Sequence, residues 1–191
     1  MSTNSVVAYL NEDGSVVSSY VHYDGYETGV GMMLLEHYNT DKCARDLAST
    51  LGYASSLSET VAESHADRVH TDEPETFESM EEFELYLMEN SHLEFGYLWT
   101  GGKWMVASWT TTVEGTGPYA EYNSTWNGFS WLVTSFVRSG RKTVDRFRDL
   151  ALEDNREGRN EYDEFADELE VTVDKWHRYG MSEIASEAMA V

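Results

Sequence analysis

The sequence predicts an α+β fold: antiparallel hairpins with short helices in the N-terminal half, then a mainly helical, acidic C-terminal part. Two pairs of β-rich runs are each joined by a glycine-bearing turn, and helical periodicity fills much of the remainder. Strands and helices interleave without a regular βαβ repeat, so antiparallel pairing is expected.

Val6-Val7-Ala8-Tyr9-Leu10 and Val16-Val17-Ser18-Ser19-Tyr20-Val21 flank Asn11-Glu12-Asp13-Gly14, and Asp-Gly between β-rich runs is a hairpin signal. After Asp24-Gly25-Tyr26, the residues Met32, Met33, Leu34, Leu35 and Tyr38 suggest a short helix preceded by Gly29 and Gly31. Thr40 reads as the N-cap of a helix over about 41–51, with Asp41 favourably placed against the helix dipole and Gly52 at its end. Cys43, Leu47 and Leu51 fall on one face of it. The stretch 53–76 reads mostly as loop. Ser79 and Glu82 form a capping-box pattern opening a helix to about Glu89, with Phe83 and Leu87 inward.

A second hairpin follows, with Leu93 to Trp99 and Trp104 to Trp109 joined by Thr100-Gly101-Gly102-Lys103. Glu114-Gly115-Thr116-Gly117-Pro118 reads as a junction, giving an α+β domain over 1–112 and a mainly helical acidic extension over 113–191. In that extension an aromatic block from Trp126 to Val137, read as core or as a partner interface, is interrupted at Ser139-Gly140. Helical patterns then cover about 143–152 and 161–179, the latter carried by Phe165, Leu169, Val173 and Trp176.

Composition narrows the function classes. Hydrophobic residues make up 41% of 191, with two prolines, so the chain can bury a core. Cys43 stands alone, which excludes an internal disulfide framework and a cysteine-cluster zinc site. The first residues show no signal-peptide pattern and no apolar run approaches the ~18 residues of a membrane span, so a cytoplasmic location is expected. Thirty-five acids against thirteen bases give a formal charge of −22. Direct nucleic-acid binding and anionic membranes are therefore disfavoured, since both need clustered Lys and Arg. Solubility and salt adaptation, with only four lysines, explain the same surplus without a partner.

Tyr20-Val21-His22-Tyr23-Asp24-Gly25-Tyr26, then Gly29-Val30-Gly31, Leu34-Leu35 and His37-Tyr38-Asn39, form a distinctive order. With Leu51-Gly52, Ser55-Ser56-Leu57 and the Gly-Gly-Lys-Trp hairpin, it resembles a group of small bacteriophage proteins without an agreed activity. The resemblance covers roughly residues 6–107 and implies a viral origin and a host-cell location.

Against that origin, the acids take on a sharper reading. Residues 59–94 hold twelve acids and one base, Arg68, and residues 153–170 hold nine acids against Arg156 and Arg159. If helical throughout, the second run would rise roughly 27 Å, or one carboxylate per about 3 Å, near the ~3.4 Å phosphate spacing of one DNA strand. The leading expectation is a phage accessory protein that inhibits a host nucleic-acid-handling or defence protein through an acidic, nucleic-acid-mimicking surface. Its expected contacts are Glu78, Glu81, Glu82, Glu157, Glu161, Asp163, Glu164, Asp167 and Glu168. The plainer reading of such runs is a solvated helix face.

The alternative is a small enzyme or ligand- or metal-binding module using His22, Asp24 and His37, because His and Asp two apart on a strand end project to one side. Its structural counterpart is a tight turn organised by His22 and Asp24. His65, Asp67 and His70 are spaced wrongly for ligands on one helical face, and Cys43 reads as a buried structural residue. Gly29-Val30-Gly31 lacks the Lys-Ser/Thr of a phosphate loop. A structural virion protein is the third reading. No cofactor or metal is implied, and homo-oligomerisation is left open.

Overall fold

The computed structural model describes residues 3–66, 72–114, 121–154 and 161–189, apart from the side chains of 65, 66, 122, 153, 154, 187 and 189. It forms two compact units, Met1–Trp131 and Leu132–Val191.

The first unit is built on a seven-stranded sheet. Strands β1 (Ser5–Leu10) and β2 (Val16–Val21) pair antiparallel, with Val6 opposite Tyr20 and Leu10 opposite Val16. Strands β5 (Phe95–Thr100) and β6 (Lys103–Glu114) form the second hairpin. Its turn places Gly101 at φ +58° and Gly102 at φ +78°, the two positive values that a tight two-residue hairpin turn requires. The hairpins meet through β1 and β5, which run parallel with Val7 opposite Tyr97. A parallel join obliges the intervening chain to cross over the sheet. That crossover carries a π-helical turn (Glu27–Gly31), α1 (Met32–His37), α2 (Asp41–Thr50), β3 (Tyr53–Ala54), α3 (Val61–Ala66), β4 (Glu75–Phe77) and α4 (Met80–Glu89). Strands β3 and β4 both attach to the free edge of β2.

Strand alternation divides the core into two layers. Val7, Tyr9, Tyr97 and Trp99 face α1 and α2, while Val6, Ala8 and Leu98 face α4. Thr40 caps α2 by accepting the Cys43 backbone N–H, as its sequence position predicts. That helix buries Ala44, Leu47 and Ala48, and Ser19 on β2 donates to the Ala48 carbonyl at 2.8 Å. Cys43 is only half-buried rather than sealed in the core. On the other face α4 seats Phe83 and Leu87, each worth about 1.5–3 kcal/mol of apolar burial. A Cβ at Gly96 would lie 2.6 Å from Leu87 Cδ1, so glycine lets the helix reach the sheet.

The sheet extends further than the sequence suggested. β6 runs through the threonine-rich segment to Glu114 and pairs with β7 (Glu121–Trp131), with Trp109 opposite Trp126. The expected boundary at 112 falls inside β6, and the aromatic block from Trp126 to Val137 is half strand and half helix. Trp126 and Phe129 pack against the α4-side core. Residues 53–76, expected to be mostly loop, contribute β3, β4 and α3.

The second unit is an antiparallel pair, α5 (Leu132–Asp154) and α6 (Glu161–Met189). Phe147 meets Phe165 with ring centroids 4.6 Å apart, and Arg148 on α5 bonds Asp167 and Glu170 on α6. Gly140 lies buried inside α5 rather than ending it, because apolar packing outweighs its ~1 kcal/mol propensity cost. Among the described residues no helix is long and apolar enough to cross a membrane.

Candidate functional site

The segment that carries the His-Tyr-Asp-Gly-Tyr pattern is a densely bonded turn leading out of β2. Asp24 sits at φ +58°, the left-handed region that Asp tolerates better than most non-glycine residues. Its carbonyl accepts the Val30 N–H at 2.7 Å, and its carboxylate accepts the Tyr26 hydroxyl at 3.1 Å. Gly25 donates to the Thr3 carbonyl at 2.8 Å, where a Cβ would lie 2.7 Å from that same oxygen. The buried Tyr97 hydroxyl reaches in from β5 and donates to the Gly25 carbonyl. At Gly29 an added Cβ would stand 2.2 Å from the Asp24 oxygen. Asp24, Gly25 and Gly29 thus each have a backbone reason.

His22 is half-buried among aromatic rings. Its Nδ1 lies 3.0 Å from the Tyr20 hydroxyl, and its ring centroid is 4.3 Å from Tyr23 and 6.4 Å from Tyr53. His37 is exposed at the end of α1. No group of three His, Cys, Asp or Glu side chains among the described residues is placed to hold a metal ion. His22 and Asp24 are therefore occupied by Tyr20 and by the turn, respectively. Asp67 and His70 lie outside the described residues, as does the His65 side chain.

The acidic residues divide between the units. At the start of α4 the Ser79 side chain accepts the Glu82 N–H, and the Glu82 carboxylate reaches back to the Glu78 N–H at 2.6 Å. Glu82 is thus partly used as a cap, one residue beyond the usual reciprocal bond. Glu78, Glu81, Glu82 and Glu89 are exposed, but Leu85 and Met88 are exposed with them, so the outer face of α4 is mixed rather than purely anionic.

On α6 the buried stripe comprises Ala166, Leu169, Val173 and Trp176. The acids flank it on both sides. Asp167 and Glu170 lie toward α5, where Arg148 Nη2 stands 3.1 Å from Asp167 Oδ1. Glu161, Glu164 and Glu168, spaced three and four apart, share the other side. They are exposed and make no ion pair with a described residue. Glu161 and Glu164, in the first turn of α6, are also favoured by the helix dipole, independently of any partner. Glu157 lies outside the described residues, and α5 ends at Asp154 before α6 begins at Glu161. Of the run 153–170, residues 155–160 lie outside the described residues, so the ~27 Å spacing is described only for its part 161–170, the start of α6.

Sequence reasoning did not foresee that Arg148 would neutralise one flank of α6, nor that His22 would join an aromatic cluster with Tyr20, Tyr23 and Tyr53. The acid-base counts hinted at the first, and the tyrosine density around residue 20 hinted at the second. No protein-family model, no curated protein and no solved structure matches the chain.

Proposed function

We propose that this protein is a phage accessory protein that binds a basic, nucleic-acid-handling or defence protein of its host and blocks it. The observation that carries this reading is the side of α6 that no described basic residue neutralises. Glu161, Glu164 and Glu168 face outward there while Arg148 occupies the opposite flank. Ten residues, 161–170, hold six carboxylates. Asp167 and Glu170 are paired with Arg148, and at ~1.5 Å per residue Glu161, Glu164 and Glu168 stand about 5 Å apart along the axis, somewhat sparser than one phosphate per ~3.4 Å of a DNA strand. A basic cleft would be drawn to such a face through long-range attraction, with fast, salt-sensitive association. The resemblance over residues 6–107 supports the viral setting and the host cytoplasm as the place of action. On α4, Leu85 and Met88 among the exposed glutamates suit a protein partner, since they add apolar contact that a phosphate backbone lacks.

The test is an inhibition assay against host nucleic-acid enzymes, comparing the natural protein with a Glu161→Gln, Glu164→Gln, Glu168→Gln variant. Lost inhibition with an intact fold supports the reading. Undiminished inhibition removes α6 from it.

A further inference from the structure

Within the first unit, an open cavity of about 260 Å³ lies where the free edge of the sheet meets α4. Tyr20, Tyr53 and Tyr86 line it with aromatic rings, and Asp72, Glu73 and Glu75 supply carboxylates. Among the described residues no basic side chain lines it. The Tyr20 and Tyr53 rings stack with centroids 5.4 Å apart at 29°. Burial raises the phenol pKa of both Tyr20 and Tyr86, so these rings stay neutral and present π faces rather than charge. Ser18 lines the same cavity from β2. Ser18 is 2% exposed, and its hydroxyl makes no hydrogen bond to another described residue. A ligand donor would take the place of cavity water on this hydroxyl.

The combination selects a ligand class. Its volume is below the ~300–1,000 Å³ typical of drug-sized sites, so it suits one head group rather than a nucleotide. The charged groups of the described lining are all carboxylates, which selects a cation. A metal ion is a poor match, because no three acidic or His/Cys side chains among the described residues converge as ligands. A planar cation is a good match, since guanidinium stacks on aromatic faces and offers several N–H donors to separated acceptors. We propose that this cavity binds a guanidinium group, stacked against Tyr53 and hydrogen-bonded by Glu75, Glu73 and Ser18. The proposal stands apart from the α6 reading: it concerns the first unit alone and needs no partner protein.

The guanidinium can come from a free small molecule or from an arginine side chain of a peptide. The protein is titrated with butylguanidine, with N-acetylarginine methylamide and with the neutral N-acetylcitrulline methylamide, using tyrosine fluorescence and amide chemical shifts. Saturable binding of at least one guanidinium probe, with the citrulline analogue roughly tenfold weaker or worse, is expected from the loss of charge and cation–π attraction. Equal binding of the two guanidinium probes assigns the site to arginine side chains. Binding of butylguanidine alone assigns it to free small molecules. A Glu73→Gln, Glu75→Gln variant should weaken binding about tenfold, as should Tyr53→Leu, while Glu161→Gln leaves it unchanged. Should Tyr53→Leu fail to fold, the two exposed glutamates carry the comparison. No saturation by either guanidinium probe, equal binding of the citrulline analogue, or displacement of the probe by calcium chloride at lower concentration would overturn the proposal.

Discussion

The hydroxyl of Tyr97, wholly buried on β5, donates a 2.8 Å hydrogen bond to the carbonyl of Gly25. Seventy-two residues separate the two in sequence, and the bond fixes the turn after β2 to the parallel junction of the sheet. Tyr97→Phe keeps the ring but leaves a buried carbonyl unanswered, which should cost about 1–3 kcal/mol. Urea denaturation checks it through a lowered midpoint with an unchanged slope.

Gly29 gives a harsher case. An alanine there would put its Cβ 2.2 Å from the Asp24 carbonyl oxygen, a backbone atom already bonded to Val30 N–H. Neither partner can swing aside, so Gly29→Ala should destabilise by at least ~1–3 kcal/mol. Thermal unfolding of the variant measures the loss. Little change would mean that the Gly-Val-Gly pattern serves something other than this close approach.

Alkaline pH should loosen the fold. Burial first, and neighbouring negative charge second, raise the phenol pKa values of Tyr86 and Tyr97 above the ordinary 10.0. Burial does the same to Tyr20 and Tyr38. The folded protein therefore holds these protons more tightly than the unfolded chain. That stability is complete below pH 10 and is lost as pH rises through the higher folded values. Tyrosinate ultraviolet absorbance should lag behind a free-tyrosine titration and then rise together with the loss of circular dichroism.

Arg148 holds two carboxylates on α6, Asp167 and Glu170, all three side chains being roughly half exposed. Solvent screening limits each pair to about 0.2–1 kcal/mol. Arg148→Met should lower the stability of the helical pair modestly in low salt, with the difference shrinking as salt is added. Urea melts at two ionic strengths measure it. A loss of several kcal/mol would mean that this ion-pair group carries far more than exposed charges allow.

How much of this was legible in the sequence depended on range. The two hairpins, the Thr40 cap, the Ser79–Glu82 cap and the helix beginning near Glu161 rest on neighbours a few residues apart, and local physics announces them. The parallel pairing of β1 with β5 depends on residues some ninety positions apart, such as Ser5 and Phe95, and no local pattern encodes it. β7 was obscured because its aromatic residues run straight into those of α5 as one block, Trp126 to Val137, and its pairing with β6 passes a register shift beside Ser108 and Asn127. The strands β3 and β4 are two and three residues long and owe their form to the edge of β2. The cavity draws on residues from Val6 to Tyr86, so its chemistry became readable only once the sheet edge and α4 were assembled. The acids of α6 were legible as charge, but not their division by Arg148.

The most direct measurement is retention on the immobilised protein of basic host proteins, challenged with duplex DNA and with rising salt. The account predicts one specific protein that is held by the natural chain, released by DNA and by salt, and lost when Glu161, Glu164 and Glu168 become glutamine. A complex that withstands both challenges and forms equally well with the glutamine variant would contradict it.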